Sequence, residues 1–202
     1  MVYRLLITGG PGSGKTTVIR ALEKKFFGRV LAVPEAATML LQGGFPPPGQ
    51  HPDLILLRAF QRAIFYLTVE LETAYVHQAE KRDAQMIVSD RGRLDGEAYM
   101  KGGRDAFLSD IGIQDRQNHL LIYHQIIYLE SVATYSPDLW VQNAGNHFRM
   151  ESDPAVAAAV DRRTLHAWSD HPHVHYFSCK NGIEGKITAV EILVDSLLEK
   201  KE

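Results

Sequence analysis

The sequence predicts a three-layer α/β domain, in which a central parallel sheet of five strands lies between two layers of helices. Short apolar runs alternate with segments of helical spacing, as in parallel sheets covered by helices. A glycine-rich turn joins the first apolar run to the first helical segment. We expect the strand order 2-3-1-4-5 and a single domain over residues 1–202, a length that allows one proper core.

Five apolar runs have the length of buried strands. The first run ends at a pair of glycines, and Pro34 stops the second. No run approaches the length needed to cross a bilayer, so we expect no membrane partner. The predicted strands cover residues 2–8, 29–34, 84–90, 124–131 and 173–179.

Between the strands, apolar residues recur at the spacing of helices. In the first such segment Val18, Leu22 and Phe26 share one face. Residues 43–52 are rich in glycine and proline, which predicts a loop near a site. The predicted helices cover residues 15–27, 35–42, 53–82 and 182–200, and a further helix begins at Asp153-Pro154.

The composition is typical of a soluble globular protein. A formal net charge of -2 gives no reason to expect nucleic acid or an anionic membrane as a partner. The single cysteine, Cys179, excludes an intrachain disulfide, fits a reducing, cytoplasmic setting and is predicted to lie buried in a strand. A homodimer is compatible with the sequence.

The segment "GGPGSGKT", residues 9–16, matches the phosphate-binding pattern G-x-x-x-x-G-K-[ST] in full. It follows a strand and opens a helix, where backbone amides point at a bound anion. Lys15 would neutralise the β- and γ-phosphates of ATP, the expected phosphate donor, and the Thr16 hydroxyl would bind Mg²⁺. The predicted nucleotide-binding residues of this segment are Gly9, Gly10, Pro11, Gly12, Ser13, Gly14, Lys15, Thr16 and Thr17.

The residues after the third strand distinguish classes of phosphate-loop protein. Asp90 ends that strand and is placed to hold Mg²⁺. Motor and AAA-type ATPases usually place a glutamate next, which orients water, whereas Arg91 has donors suited to a phosphate or an acceptor. The chain contains no D-x-x-G, N-K-x-D or L-S-G-G-Q motif of the switch and transporter proteins. This favours phosphoryl transfer to a small molecule.

Candidate acceptor-binding residues lie at the carboxyl edge of the predicted sheet and on the long helix. Glu35 follows the second strand and would accept a proton from an attacking hydroxyl, or it is a glutamate favoured at a helix start. Arg58 and Arg62 lie four residues apart on one face. They either line an acceptor pocket with Glu35 and Arg91 or form a solvated stripe.

Residues 136–170, between the fourth and fifth strands, are an arginine-rich insertion that we predict to be a helical lid. A closing arginine would stabilise the charge on the transferred phosphoryl group. Arg149, Arg162 and Arg163 are the candidates for this catalytic role. Because helical neighbours point about 100° apart, only one of the last two would face the site, and solvated helix charges are the alternative.

Four motifs together resemble those of a known family. "ITGGPGSGKTT", "PEAA", "DRG…D…AY" and "W…HP" are similar to the AAA-labelled ATP-binding family that includes the ribosylnicotinamide kinase domain of NadR. "PEAA" and "DR" also resemble the P-E-P and E-R-S of deoxyribonucleoside kinases. The resemblance implies a P-loop NTPase fold, with Glu35 as general base, Asp90 at the Mg²⁺ site and Arg91 beside the acceptor or γ-phosphate. It further implies that Ser178, Cys179 and Lys180 contact the adenine base.

The predicted function is therefore Mg-ATP-dependent phosphoryl transfer to a nucleoside- or nucleotide-like acceptor. The deoxyribonucleoside kinases have glutamate and serine where this chain has Asp90 and Gly92, which leaves other acceptors open. The alternatives are an NTPase or regulatory nucleotide-binding protein without an acceptor, and an adaptor that keeps the loop for stability.

Overall fold

A parallel sheet of five strands lies at the centre of the protein. The computed structural model describes residues 1–49, 53–142 and 153–199. The strand order is β2-β3-β1-β4-β5, which confirms the predicted order. Neighbouring strands pair in parallel throughout. The strands are β1 (Tyr3–Thr8), β2 (Val30–Val33), β3 (Met86–Asp90), β4 (Gln125–Leu129) and β5 (Val174–Phe177).

Helices cover both faces of the sheet. Among the described residues, none of them is both long and apolar enough to cross a membrane. They are α1 (Lys15–Lys25), α2 (Ala36–Gln42), α3 (Leu54–Lys81), α4 (Gly103–Ile111), α5 (Arg116–Leu120), α6 (Val132–Tyr135), α7 (Pro137–Gln142), α8 (Pro154–Trp168) and α9 (Gly182–Glu199), with 3₁₀ turns at Asp95–Ala98 and Cys179–Asn181.

The side chains of β1 alternate between the two layers of the core. Leu5 and Ile7 pack with apolar residues of α1 and α9, whereas Leu6 packs with residues of α3, α4 and α8. Successive side chains of a strand point to opposite faces, so a strand that is apolar on both faces needs helices on both sides. The three-layer arrangement predicted from the sequence follows from this pattern.

Two of the predicted helix starts are fixed by aspartate side chains. The carboxylate of Asp53 accepts from the amides of Ile55 (2.7 Å) and Leu56 (3.3 Å) at the start of α3. Asp153 accepts from the amide of Ala155 (2.7 Å), with proline as the first residue of α8. Both carboxylates satisfy amides that have no partner within the helix, which fixes where each helix begins.

The structure differs from the sequence prediction around the last two strands and before β4. Ser131 leaves β4 and caps α6, where its Oγ accepts from the amide of Ala133 (3.1 Å). Cys179 is buried as predicted but lies in the 3₁₀ turn after β5, so its assignment to a strand is wrong. Helices α4 and α5 were not predicted. Gly102 and Gly112 cap the two ends of α4 and have left-handed φ angles of 100° and 70°.

The parallel sheet brings the predicted site residues to one edge. Strands β1, β2 and β3 are neighbours and run in the same direction. The segments that follow them carry the phosphate loop, Glu35 and Arg91. Because ligands of open α/β folds bind at the carboxyl ends of the strands, this edge is the candidate location of the site.

Candidate functional site

The phosphate loop, residues 9–16, joins β1 to α1 in a conformation that requires glycine. Gly9 has a φ of 144°, and a Cβ there would lie 2.1 Å from the carbonyl oxygen of Leu129. Gly12 has a φ of 67°, and a Cβ there would lie 2.4 Å from the ring of Trp140. Larger side chains would clash at both positions. The loop therefore lies directly against β4 and α7.

The ammonium group of Lys15 is held inside this loop. Its Nζ donates to the carbonyl oxygens of Gly9 (3.0 Å) and Gly10 (3.1 Å) and to Oγ of Ser13 (3.1 Å). Burial, followed by the positive charge of Arg91, lowers the pKa of Lys15 to about 8. The three acceptors are neutral, so the positive charge of Lys15 can pair with an anion such as phosphate.

Asp90 and Thr16 form a site that fits a magnesium ion. Thr16 Oγ1 donates to Oδ2 of Asp90 (3.1 Å), while the buried Oδ1 of Asp90 has no hydrogen-bond partner among the described residues. Burial raises the pKa of Asp90, although the charge of Lys15 opposes this. A buried carboxylate oxygen without a partner is costly unless a cation or water meets it. Mg²⁺ takes such oxygen ligands together with phosphates and water.

A magnesium ion at Asp90 would be bound differently from a metal held by protein side chains alone. Within residues 1–49, 53–142 and 153–199, no group of three His, Cys, Asp or Glu side chains could hold a metal ion. A cation at Asp90 would thus take its other ligands from the Thr16 hydroxyl, water or a bound nucleotide.

Glu35 and Arg91 form an ion pair beside the loop. Arg91 Nε donates to Oε1 of Glu35 (2.6 Å), and its Nη1 lies 3.4 Å from the carbonyl oxygen of Gly9. Burial alone would raise the pKa of Glu35, but Arg91 and a hydrogen bond from Thr38 outweigh it and hold the pKa below its ordinary value. Arg91 has a φ of 71°, which is costly for a residue other than glycine and is typical of functional sites.

Asp95 is a site residue that was not predicted individually. Its carboxylate accepts from Thr8 Oγ1 (2.9 Å), from the indole Nε1 of Trp168 (2.7 Å) and from Nη1 of Arg91 (3.2 Å). It thus fixes Arg91 from the side opposite Glu35. The sequence signal was available, since the second aspartate of "DRG…D" and the tryptophan of "W…HP" are the two residues that meet here.

A cavity of about 550 Å³ joins the loop to α3. Its wall on α3 consists of Phe60, Gln61 and Ile64. Gln61 is buried, with 4% of its surface exposed, and lies in this wall. The loop residues that line the cavity are Pro11, Gly12, Ser13, Gly14, Lys15, Thr16 and Thr17, with Glu35, Asp90, Arg91 and Asp95 beside them. Gly9 and Gly10 lie behind this lining.

The prediction that Arg58 and Arg62 line the acceptor pocket is not supported by the geometry. Arg58 Nε donates to both carboxylate oxygens of Asp110 on α4 (2.9 and 2.7 Å). Arg62 is exposed, and neither arginine lines the cavity. Because each residue turns the helix by about 100°, the two arginines face α4 while Gln61 faces the cavity.

The structure does not bring Arg162 or Arg163 to the cavity either. Arg162 is exposed, and Arg163 Nε donates to the carbonyl oxygen of Ala98 (2.6 Å). The opposite face of α8 is buried against the body of the protein through Asp161 and Trp168. The third candidate, Arg149, lies outside the described residues, so a lid arginine stays a prediction.

The predicted base-contact residues are Ser178, Cys179 and Lys180. Oγ of Ser178 and the amide of Cys179 both donate to Oε2 of Glu130 (2.8 Å each). Nζ of the buried Lys186 contacts Sγ of Cys179 (2.9 Å) and donates to the carbonyl oxygen of Ser13 (3.0 Å). These residues therefore lie behind the phosphate loop, and their contact with a base stays a prediction.

The strand order and the phosphate loop define a P-loop nucleotide-binding domain. The family model described as "AAA domain" matches residues 4–185, and the chain belongs to this family. No curated protein matches the chain. A solved structure, deoxyadenosine kinase from M. mycoides with bound dATP, has a TM-score of 0.60 over 96% of this chain and 99% of its own. At 14% identity this likeness shows the shared fold.

Proposed function

We propose that the protein is a kinase that transfers the γ-phosphate of Mg-ATP to a nucleoside- or nucleotide-like acceptor. One observation carries this proposal: a single cavity is lined by the phosphate loop, by the Glu35–Arg91 pair and by a half-apolar wall on α3. The residues that would hold the donor phosphate therefore lie next to the proposed base Glu35 and to room for an acceptor. Phosphoryl transfer depends mainly on such positioning and on charge stabilisation.

On the donor side, the loop amides and Lys15 would hold the β- and γ-phosphates. Thr16 and Asp90 would hold Mg²⁺, which neutralises phosphate charge when it is bound. Arg91 is fixed by Glu35 and Asp95, so its remaining donors need little reordering to meet a transferred group.

On the acceptor side, Glu35 would accept the proton of the attacking hydroxyl as its oxygen bonds to the γ-phosphorus. The bond between that phosphorus and the β–γ bridging oxygen breaks, and ADP leaves. The lowered pKa keeps Glu35 ionised at neutral pH, although it also makes the carboxylate a weak base. This suits a reaction in which the proton moves late and orientation of the hydroxyl matters most.

The wall on α3 supports a ring-shaped acceptor. Phe60 and Ile64 offer apolar surfaces, and the amide of Gln61 offers a donor and an acceptor. A planar heterocycle with a hydrogen-bonding edge satisfies both properties. The name of the similar solved protein, deoxyadenosine kinase, is consistent with an acceptor of this class.

The test is a panel of nucleosides, nucleotides and pyridine ribosides incubated with Mg-ATP, with product identified by mass spectrometry. We expect one class to be phosphorylated, and Glu35→Gln to lower kcat by about 10²–10⁴-fold with the KM for ATP nearly unchanged. Slow ATP loss without any phosphorylated acceptor, unaffected by Glu35→Gln, would instead favour an NTPase.

A further inference from the structure

A buried carboxylate behind the phosphate loop is not used by the proposed chemistry. Asp161 lies on α8 and is 1% exposed. Its Oδ1 accepts from the amide of Gly10 (2.7 Å) and the hydroxyl of Tyr128 (2.5 Å). Its Oδ2 accepts from the amide of Ser131 (3.1 Å) and Oγ1 of Thr134 (2.6 Å). One side chain thus ties the loop to β4, to α6 and to α8.

The contact with Gly10 leaves no space for a side chain at that position. A Cβ on Gly10 would lie 2.5 Å from Cβ of Asp161. Real side chains do not approach this closely, so Asp161 requires a glycine at position 10. The backbone conformation does not require one, because Gly10 is not among the residues with positive φ.

The Gly10 amide belongs to the same peptide group as the Gly9 carbonyl. In a trans peptide these two groups point in opposite directions. The carbonyl oxygen of Gly9 accepts from Lys15 (3.0 Å) and lies 3.4 Å from Nη1 of Arg91. By fixing one end of the peptide group, Asp161 fixes the carbonyl that orients both cations of the site.

Helix α8 reaches Arg91 by a second route. Trp168, two turns after Asp161, donates from its indole Nε1 to Asp95, and Asp95 accepts from Arg91. The same helix therefore supports the phosphate loop from its middle and Arg91 from its last residue. Because α8 is a rigid element with a buried face, both contacts depend on one placement of the helix.

We propose that Asp161 is a positioning residue. It acts through the Gly9–Gly10 peptide to hold Lys15 and Arg91 where they can contact the phosphates of a bound nucleotide. This inference rests on the proposed function, because it concerns the same nucleotide site. It gives α8 a role in donor binding that does not depend on Arg162 or Arg163.

The discriminating variant is Asp161→Asn, which keeps the shape of the side chain and removes its charge. If the carboxylate acted only through its charge, its loss would tighten the binding of an anionic nucleotide. If it acts by positioning, the amide group cannot accept from all four donors, and binding weakens. The two roles therefore predict opposite changes in the Kd for the nucleotide.

The probe is a non-hydrolysable ATP analogue with Mg²⁺, titrated by calorimetry at a temperature where circular dichroism shows each variant folded. We expect Asp161→Asn to raise the Kd about tenfold or more. Thr134→Val is the matched control, because it removes one donor to the same carboxylate without touching Gly10. Its Kd is expected to stay within about twofold of the wild-type value while its melting temperature falls.

The outcomes separate the two proposals. If the wild-type protein does not bind the analogue, the proposed function fails and the role of Asp161 fails with it. If the wild-type protein binds but folded Asp161→Asn binds as well or better, the positioning role alone is overturned. If Thr134→Val weakens binding as much as Asp161→Asn does, the effect is general destabilisation, and the positioning role is again overturned.

Discussion

Lys15 carries its positive charge in surroundings that favour the neutral form. Burial and the nearby Arg91 lower its pKa to about 8, while its hydrogen-bond acceptors Gly9, Gly10 and Ser13 are uncharged. A phosphate chain would bring the opposite charge to the ammonium group and raise its pKa again. Nucleotide binding and the protonation of Lys15 are therefore linked.

We expect the affinity for Mg-bound ATP analogue to fall as the pH rises through about 8. Below that pH, Lys15 is already charged before the nucleotide binds. Above it, Lys15 must take up a proton on binding, which lowers the affinity by at most about tenfold per pH unit. Calorimetry between about pH 7 and pH 9.5 in buffers of different ionisation enthalpy measures both the affinity and the proton uptake.

Lys15→Met provides the control for this pH dependence. The variant should bind more weakly at every pH and lack the proton uptake near pH 8. A wild-type affinity that stays constant across the same range would contradict a lowered pKa of Lys15 in the free protein.

At the residue scale, the sequence predicts the donor half of the site because its chemistry is local. Lys15 and Thr16 belong to one contiguous motif, and Asp90 ends a recognisable strand. Asp161 lies about 150 residues from its partner Gly10, and nothing in its helical surroundings distinguishes it from a surface aspartate. The geometry of the sheet, which no local pattern contains, brings these two residues together.

At the element scale, α3 shows why a helix face is difficult to choose from sequence. The helix spans Leu54–Lys81 and contacts α2, α4 and two strands, so apolar residues occur around much of its circumference. The arginine pair Arg58 and Arg62 is the more conspicuous chemical signal, but it faces α4 and solvent. Gln61, one residue away from Arg62, faces the cavity.

Because Gln61 faces the cavity and Arg62 is exposed, we expect substitutions at these adjacent positions to affect catalysis differently. Gln61→Leu should lower kcat/KM for the phosphorylated acceptor by about 10–100-fold, because a buried polar edge of that acceptor would lose its partner. The affinity for ATP should be nearly unchanged, since the α3 wall is distinct from the phosphate loop. Steady-state kinetics with the acceptor found in the panel measures both quantities.

Arg62→Leu is the matched control for this prediction, because it makes the same replacement one position along the helix on an exposed face. We expect its kcat/KM to stay within about twofold of the wild-type value. Equal losses in the two variants would show that α3 affects catalysis through its fold and not through an amide in the cavity.

At the scale of the whole molecule, a second polar cluster lies within the apolar layer between α3 and the sheet. Glu72 is fully buried and accepts from Arg93 Nε (2.7 Å), Tyr123 OH (2.6 Å) and Ser89 Oγ (3.2 Å). Burial, followed by the charge of Glu72, raises the pKa of Tyr123 well above its ordinary value, so its hydroxyl stays a donor. The cluster joins α3, β3 and the segment before β4.

This cluster also anchors the segment that carries Arg91. Arg93 lies two residues after Arg91, and its contact with Glu72 holds the chain where Arg91 takes a left-handed backbone conformation. The layers were predictable from alternating apolar runs. The cluster was not, because a glutamate and an arginine 21 residues apart in different elements form no sequence pattern.

We expect Glu72→Met to destabilise the protein by roughly 3–5 kcal/mol, because it leaves the buried Arg93 without its counter-ion. Methionine is similar to glutamate in length, so the loss of stability would come from the missing charge and hydrogen bonds more than from a change in volume. For a chain of this size, the melting temperature should fall by about 6–20 °C. Thermal unfolding followed by circular dichroism measures the change.

Glu70→Met is the control, since Glu70 lies on the same helix two residues earlier and is exposed. Its melting temperature should change little, because surface substitutions usually shift stability by no more than about 0.5 kcal/mol. If the two variants unfolded at the same temperature, the Glu72 cluster would not be a source of stability. Because Arg91 depends on the segment that this cluster anchors, folded Glu72→Met should also turn over acceptor more slowly at temperatures well below its melting point.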